Sequence, residues 1–231
     1  KSVNFLKGSL VGYSQSSIGQ KQIMAVTGLV WAGFVLMHMI GNLLIIAGPD
    51  TYNSYSYALI SNPLVYLAEA LLVLTLLFHV VKGVRLTIAN RRARDVKYAM
   101  TPNGAKSPRF QSRWMIFHGS IILVFVILHL ITFKYGPGIN AGYVTTVNGV
   151  EMRDLYRLVV EVFQQPGYII WYLIAMIFVG LHLSHGFYSS FASLGFYHPR
   201  YSPVLNKIGY VYAVIVALGF IVPPIYVYFV L

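Results

Sequence analysis

The sequence contains no cysteine. That excludes a disulfide, a thiolate-bound iron–sulfur cluster, a thiolate-ligated haem and a haem attached through C-x-x-C-H, so any metal must be held by nitrogen or oxygen. Carboxylates are also scarce. Six Asp and Glu stand among 231 residues, and only Glu69 lies well inside a long apolar segment. Charged residues make up 10% of the chain against 57% apolar ones, with a mean hydropathy of +0.67, a balance too apolar for a soluble domain of this length. The opening residues are polar and lack the short apolar core and small-residue cleavage site of a signal peptide. Internal repeats and low-complexity tracts are lacking too.

What remains is apolar runs. A spanning helix needs about 20 predominantly apolar residues, and five segments qualify: about Ile23 to Ile46, Leu64 to Leu86, Trp114 to Phe133, Tyr168 to Phe191 and Ile208 to Val230. The expected fold is an all-α integral membrane protein, residues 1–231 forming a single membrane domain with no soluble domain left over. The net charge of +11 does not point to nucleic acid, because nine of the 17 Lys and Arg lie between the second and third spans, from Lys82 to Arg113. With Lys1, Lys7, Lys21, Arg200 and Lys207, one face holds fourteen cations and the other three. The positive-inside rule then puts the amino terminus and the second and fourth connections in the cytoplasm of a multi-pass inner-membrane protein. The Arg/Lys-rich loop from Asn90 to Ser112 is expected to touch anionic lipid and to offer a docking surface to a soluble partner. The first connection, Gly48 to Pro63, reads as a turn-rich outer loop with belt tyrosines Tyr52, Tyr55 and Tyr57. After a turn run from Gly136 to Gly149, Glu151 to Gln165 has the spacing of a short amphipathic helix on the outer surface.

Four of the seven histidines, His38, His79, His129 and His182, each sit in a different span, and an ionisable group at membrane depth is by default a functional site. At about 1.5 Å of rise per residue, His38 lies roughly 24 Å from the cytoplasmic start of its span near Gln22, and His129 roughly 23 Å from Trp114, both in the outer half. His79 comes three residues before Lys82. His182 comes about 21 Å of rise after the outer start near Tyr168, so this second pair is in the inner half. Depth pairs His38 with His129 and His79 with His182, the arrangement expected if four helices hold two stacked haems b by bis-histidine ligation. Such irons have both axial positions filled and carry electrons rather than substrate. Gly28, Gly33, Gly41, Gly119 and Gly180 thin the helices near these positions, as close approach of a flat macrocycle or ordinary helix packing would each require.

His118, eleven residues before His129 and near the same helix face, is a candidate contact for the inner haem's propionates, as are Lys82, Arg85, Arg113 and Trp114 at the cytoplasmic rim. His185 is a competing ligand or propionate partner, and His198 is expected at the interface. Structural hydrogen bonding is the other reading of all three histidines. Glu69, ten residues outward of His79, is a candidate proton acceptor for a quinol oxidised near the outer face, or else an acid bonded to a neighbouring helix.

Taken together the residues resemble the di-haem cytochrome b membrane anchor of succinate dehydrogenase and fumarate reductase, in its single-polypeptide five-helix form. The resemblance covers nearly the whole chain. It is carried by Lys21-Gln22-Ile23-Met24-Ala25-Val26-Thr27-Gly28 ahead of His38 with Gly41-Asn42, by Phe78-His79 before Lys82-Gly83, by Leu128-His129, by Leu181-His182-Leu183-Ser184-His185-Gly186-Phe187 and by the tail from His198-Pro199-Arg200-Tyr201 to Gly209-Tyr210. The resemblance implies that the first and third helices ligate a distal haem and the second and fourth a proximal one, with His182 as ligand and His185 as neighbour. It also implies a cytoplasmic iron–sulfur subunit, a flavoprotein (FAD) subunit carrying the succinate/fumarate site, and a quinone site near the outer haem, with Glu69, Asp50 and the Tyr-rich first loop as candidates. Menaquinone is preferred on the resemblance alone. Some fumarate-reducing relatives carry a glutamate two residues before the fourth-helix ligand, implicated in moving compensating protons; this chain has Gly180 there. The alternatives are a di-haem anchor of another quinone-linked enzyme, of formate dehydrogenase, hydrogenase or nitrate reductase type, and a haem-free proton-coupled transporter.

Overall fold

A computed structural model describes residues 12–92 and 114–231. Five helices are long and apolar enough to cross a membrane: Ser17–Ala47, Leu64–Arg92, Met115–Lys134, Pro166–Ser193 and Ser202–Val230. The chain is an all-α integral membrane protein. The spans are α1 (Ser17–Leu43), α3 (Leu64–Arg92), α4 (Met115–His129), α6 (Pro166–Ser193) and α7 (Ser202–Val230). Between them lie α2 (Pro49–Ile60), the strands β1 (Val144–Val147) and β2 (Val150–Arg153), and α5 (Leu155–Phe163). "Inner" below denotes the end of the bundle next to the Arg/Lys-rich second connection.

The first four spans form a ring in which α1 neighbours α3 and α6, and α4 neighbours α6 and, more loosely, α3. Helices α1 and α4 therefore occupy one diagonal and α3 and α6 the other. Helix α7 stands outside the ring against α6 and α1. The α6–α7 approach uses small residues: a Cβ on Gly180 would come within 3.1 Å of the Ala217 Cβ, and one on Gly209 within 3.4 Å of Phe187. Helix α3 buries only Lys82 and Leu86, so most of its apolar surface is left for lipid.

Both outer connections are more ordered than their composition suggests. The first holds the 12-residue helix α2 rather than a loop of turns. Gly48 adopts φ +96°, Pro49 takes the first helical position, where its missing N–H is no loss, and Asp50 lies in the first turn, where the helix dipole favours an acid. In the third connection the helix starts later than its periodicity suggests. Residues 150–153 pair instead with 144–147 in an antiparallel hairpin, Val144 opposite Arg153 and Val147 opposite Val150. Asn148 and Gly149 close it with φ of 50° and 77°, the positive values a two-residue hairpin turn requires. Asp154 then caps α5 by accepting the Arg157 N–H at 3.0 Å.

Helix α5 turns its apolar face onto protein rather than lipid. Leu158, Val159, Val162 and Phe163 are buried in one cluster with Ile45, Tyr52, Phe125, Tyr172, Ala175, Met176 and Val227, so among the described residues a hydrophobic core sits at the outer end of the bundle. Above it, the Tyr143 hydroxyl donates to Glu161 at 2.5 Å and the Arg157 Nε to the same carboxylate at 2.7 Å. With the Tyr143 bond as the main cause, these contacts hold the Glu161 carboxyl below the usual carboxylate range.

One side chain ties the two outer connections together. Asn53, 1% exposed, donates from Nδ2 to Asp154 Oδ1 at 2.9 Å and accepts the Tyr156 N–H at 2.9 Å. Asn53→Ala leaves a backbone donor and a cap carboxylate without this partner, so it should cost about 1–3 kcal/mol and expose α5 to proteolysis. Thermal unfolding in detergent and limited digestion check this, and wild-type values for both would contradict it.

Candidate functional site

The four membrane-depth histidines meet in two pairs, one on each diagonal of the ring. On the α1–α4 diagonal, His38 and His129 have ring centres 5.7 Å apart at an interplanar angle of 89°. On the α3–α6 diagonal, His79 and His182 stand 6.2 Å apart at 62°. A metal bonded to two imidazole nitrogens at about 2 Å each sets the ring centres roughly 6 Å apart, and both pairs have that spacing. All four histidines are half-buried, whereas His118 is 2% exposed; the accessible surface they keep is what a group held between each pair would cover.

The inner pair is set by glycines and a main-chain acceptor. His79 Nδ1 lies 3.2 Å from the Met24 carbonyl and 3.3 Å from Thr27 Oγ1, while the Thr27 hydroxyl itself donates to the Ile23 carbonyl at 2.8 Å. A carbonyl only accepts, so Nδ1 carries the proton and Nε2 is left with its lone pair, the state in which histidine ligates metals. The ring lies on Gly28, where a Cβ would approach its Cε1 to 3.1 Å; a Cβ on Gly119 would lie 3.6 Å from the His182 Cε1. His182 Nδ1 is buried with no hydrogen-bond partner, and so is His118 Nδ1.

The outer pair sits among aromatic rings. Phe34, one turn earlier on α1, stacks on His38 at 5.3 Å and 14°, and Phe220 of α7 stands 5.8 Å away. His129 is flanked by Phe125 and Phe133, four residues to either side, at 5.7 and 5.4 Å. Its Nδ1 is 3.0 Å from the Tyr172 hydroxyl. Directly after His129 the backbone changes from α to a π turn over Leu130–Lys134, a local irregularity often found beside functional residues. A 370 Å³ cavity opens alongside, with Leu128, Thr132, Gln165, Tyr168, Trp171 and Tyr172 in its wall.

The remaining candidates are dispersed. Lys82 is buried and its Nζ donates to the Ser14 carbonyl at 3.0 Å; Arg85 is exposed. Trp114 and Phe117 line an inner cavity of 580 Å³ together with Arg91, and His118 stands 5.7 Å from Phe178 of α6. Arg113 lies outside the described residues. Glu69 sits near the outer start of α3 and forms an ion pair with Lys134 at the end of the π turn, so the outer mouth between α3 and α4 is bridged by charge. Asp50 is exposed at the start of α2, and the Tyr55 ring packs where a Gly41 Cβ would be. At Gly180 a Cβ would stand 3.1 Å from the Ala217 Cβ, so any side chain there, a glutamate included, would press on α7. Sequence reasoning missed Thr27, Phe34, Phe125, Phe133 and Tyr172. The three phenylalanines are legible in retrospect as the residues four positions from a ligand candidate; Thr27 and Tyr172 reach histidines of other helices, which spacing within one segment does not reveal.

Five apolar helices with two opposed histidine pairs define a multi-pass helical membrane protein built around two imidazole pairs. The family model of the succinate dehydrogenase/fumarate reductase transmembrane subunit matches residues 22–105, a little over a third of the chain. That segment is therefore similar to this family, and it contains His38 and His79, one member of each pair. No curated protein and no solved structure matches the chain.

Two glycines of α1 discriminate contact from mere flexibility. Gly28→Val drives a side chain into the His79 ring and should destabilise by about 1–3 kcal/mol. Nothing lies within 4 Å of a Cβ on Gly33, so Gly33→Ala should be neutral or stabilising by up to about 1 kcal/mol. Equal effects of the two on thermal unfolding would contradict the placement of His79.

Proposed function

We propose that the chain is the membrane anchor and quinone-reactive cytochrome b subunit of a succinate:quinone oxidoreductase in a bacterial cytoplasmic membrane. It would pass electrons between a cytoplasmic iron–sulfur subunit and a quinone, with the succinate/fumarate chemistry on a partner flavoprotein. The observation that carries this reading is the meeting of two histidine pairs at two depths on the two diagonals. Among the described residues no three or more metal-ligating side chains cluster, and two imidazoles are too few to hold a bare ion of the zinc type. They suit a group that brings its own equatorial ligands. Haem iron held between two imidazoles supplies one-electron transfer with no open position for substrate.

The roles of this chain's residues follow. His79 and His182 hold the inner group, nearest the expected iron–sulfur partner, and His38 and His129 the outer one. Met24, Thr27 and Gly28 fix the His79 ring, and the aromatic shell of the outer pair keeps water from the imidazoles. The basic charge between Lys82 and Arg113, much of it outside the described residues, would attract acidic partners and lipid headgroups. Quinone, menaquinone by preference, is assigned to the outer end, where Tyr172, the partner of His129, stands in the wall of the 370 Å³ cavity, and the Glu69 carboxylate, paired with Lys134, is the candidate acceptor of a quinol proton.

The purified complex should give a pyridine haemochrome yield of two haems b per chain, both low-spin; a yield well below two would overturn the reading. For the outer end, Glu69→Gln should slow quinol oxidation while leaving both haems bound. Unchanged quinone turnover would reduce Glu69 to its ion pair with Lys134.

A further inference from the structure

The two pairs differ in what holds their second nitrogen. At the inner pair His79 Nδ1 lies on the main-chain carbonyl of Met24 at 3.2 Å, with the Thr27 hydroxyl oxygen 3.3 Å away. At the outer pair the partner of His129 is a side chain, Tyr172, placed on α6 about 15 Å of helix rise outward of His182. Tyr172 is 7% exposed and is clamped from two sides, edge-on to Phe125 of α4 at 4.9 Å and to Phe163 of α5 at 4.8 Å. A ring so held has little freedom to swing its hydroxyl away from His129 Nδ1, 3.0 Å distant.

We infer that Tyr172 is a positioning residue of the outer site: its hydroxyl fixes the rotation of the His129 ring, and ligation through Nε2 would make Nδ1 the protonated nitrogen that donates to it. The inference rests on reading His129 as an axial ligand. The outer group then answers to a phenol and the inner one to an amide carbonyl, and the hydrogen bond on the far nitrogen of a ligating histidine sets its basicity. Identical ligands thus acquire unequal electronic character. Tyr172 also stands in the wall of the outer cavity. With Nδ1–H donated to the phenol oxygen, the phenol O–H is left to an acceptor there.

Tyr172→Phe keeps the ring packed between Phe125 and Phe163 and removes only the hydroxyl. In the purified complex it should retain both haems, shift the midpoint potential and low-spin EPR signal of one, and leave the other at its wild-type values. Two unshifted haems, or two haems shifted alike, would overturn the inference. The haem-free full chain, uniformly labelled with ¹⁵N-histidine, separates this claim from the one beneath it. There the wild type should show His129 in one preferred tautomer, assigned by its loss in His129→Ala, and Tyr172→Phe should lose that preference. A Tyr172→Phe spectrum identical to wild type would overturn the positioning role. A chain that passes this test yet binds no haem would instead overturn the proposed function.

Discussion

Everything in the bundle interior is arranged around a polar group that lipid does not tolerate alone. An imidazole nitrogen at membrane depth gains from every partner the protein offers it, since no water stands in for one. His79 meets this constraint with a carbonyl on one nitrogen and His129 with a phenol, and each places its ring against a second histidine from the opposite corner of the ring of helices. Opposite corners are the positions from which two side chains can meet without the backbones doing so.

The supports are exchanged between the two sites. Helix α1 carries His38 of the outer pair, yet its Met24 carbonyl, Thr27 and Gly28 fix His79 of the inner one. Helix α6 carries His182 of the inner pair, yet its Tyr172 holds His129 of the outer one. Helix α4, which carries His129, sets Gly119 against His182. A shift of any one of these helices therefore disturbs both pairs. The outer cap adds rigidity where the ring is otherwise open, since Asn53 joins α2 to α5 and the α5 apolar face packs against Tyr172 and Phe125.

Much of this was legible in the sequence, because lipid makes the rules simple. Run length identified the five spans, and counting rise from the charged ends ordered the four histidines by depth. The connections were less legible. Helix α2 was hidden by its turn-forming composition, although Gly48-Pro49-Asp50 is a helix start in its own right. The Asn148-Gly149 hairpin signal was masked by the helical spacing of the apolar residues that follow. The amphipathic face of α5 was visible, but periodicity does not say whether such a face covers lipid or protein. Cross-helix partners such as Thr27 and Tyr172 depend on the rotation of one span relative to another, which no single segment encodes.

The central claim, that the four histidines act as two diagonal pairs, is tested most directly by double substitutions scored for haem content in the purified complex. His38→Ala with His129→Ala, and separately His79→Ala with His182→Ala, should each leave one haem b per chain. His38→Ala with His79→Ala should leave none. Retention of one haem in that last variant, or loss of both in either of the first two, would contradict the pairing.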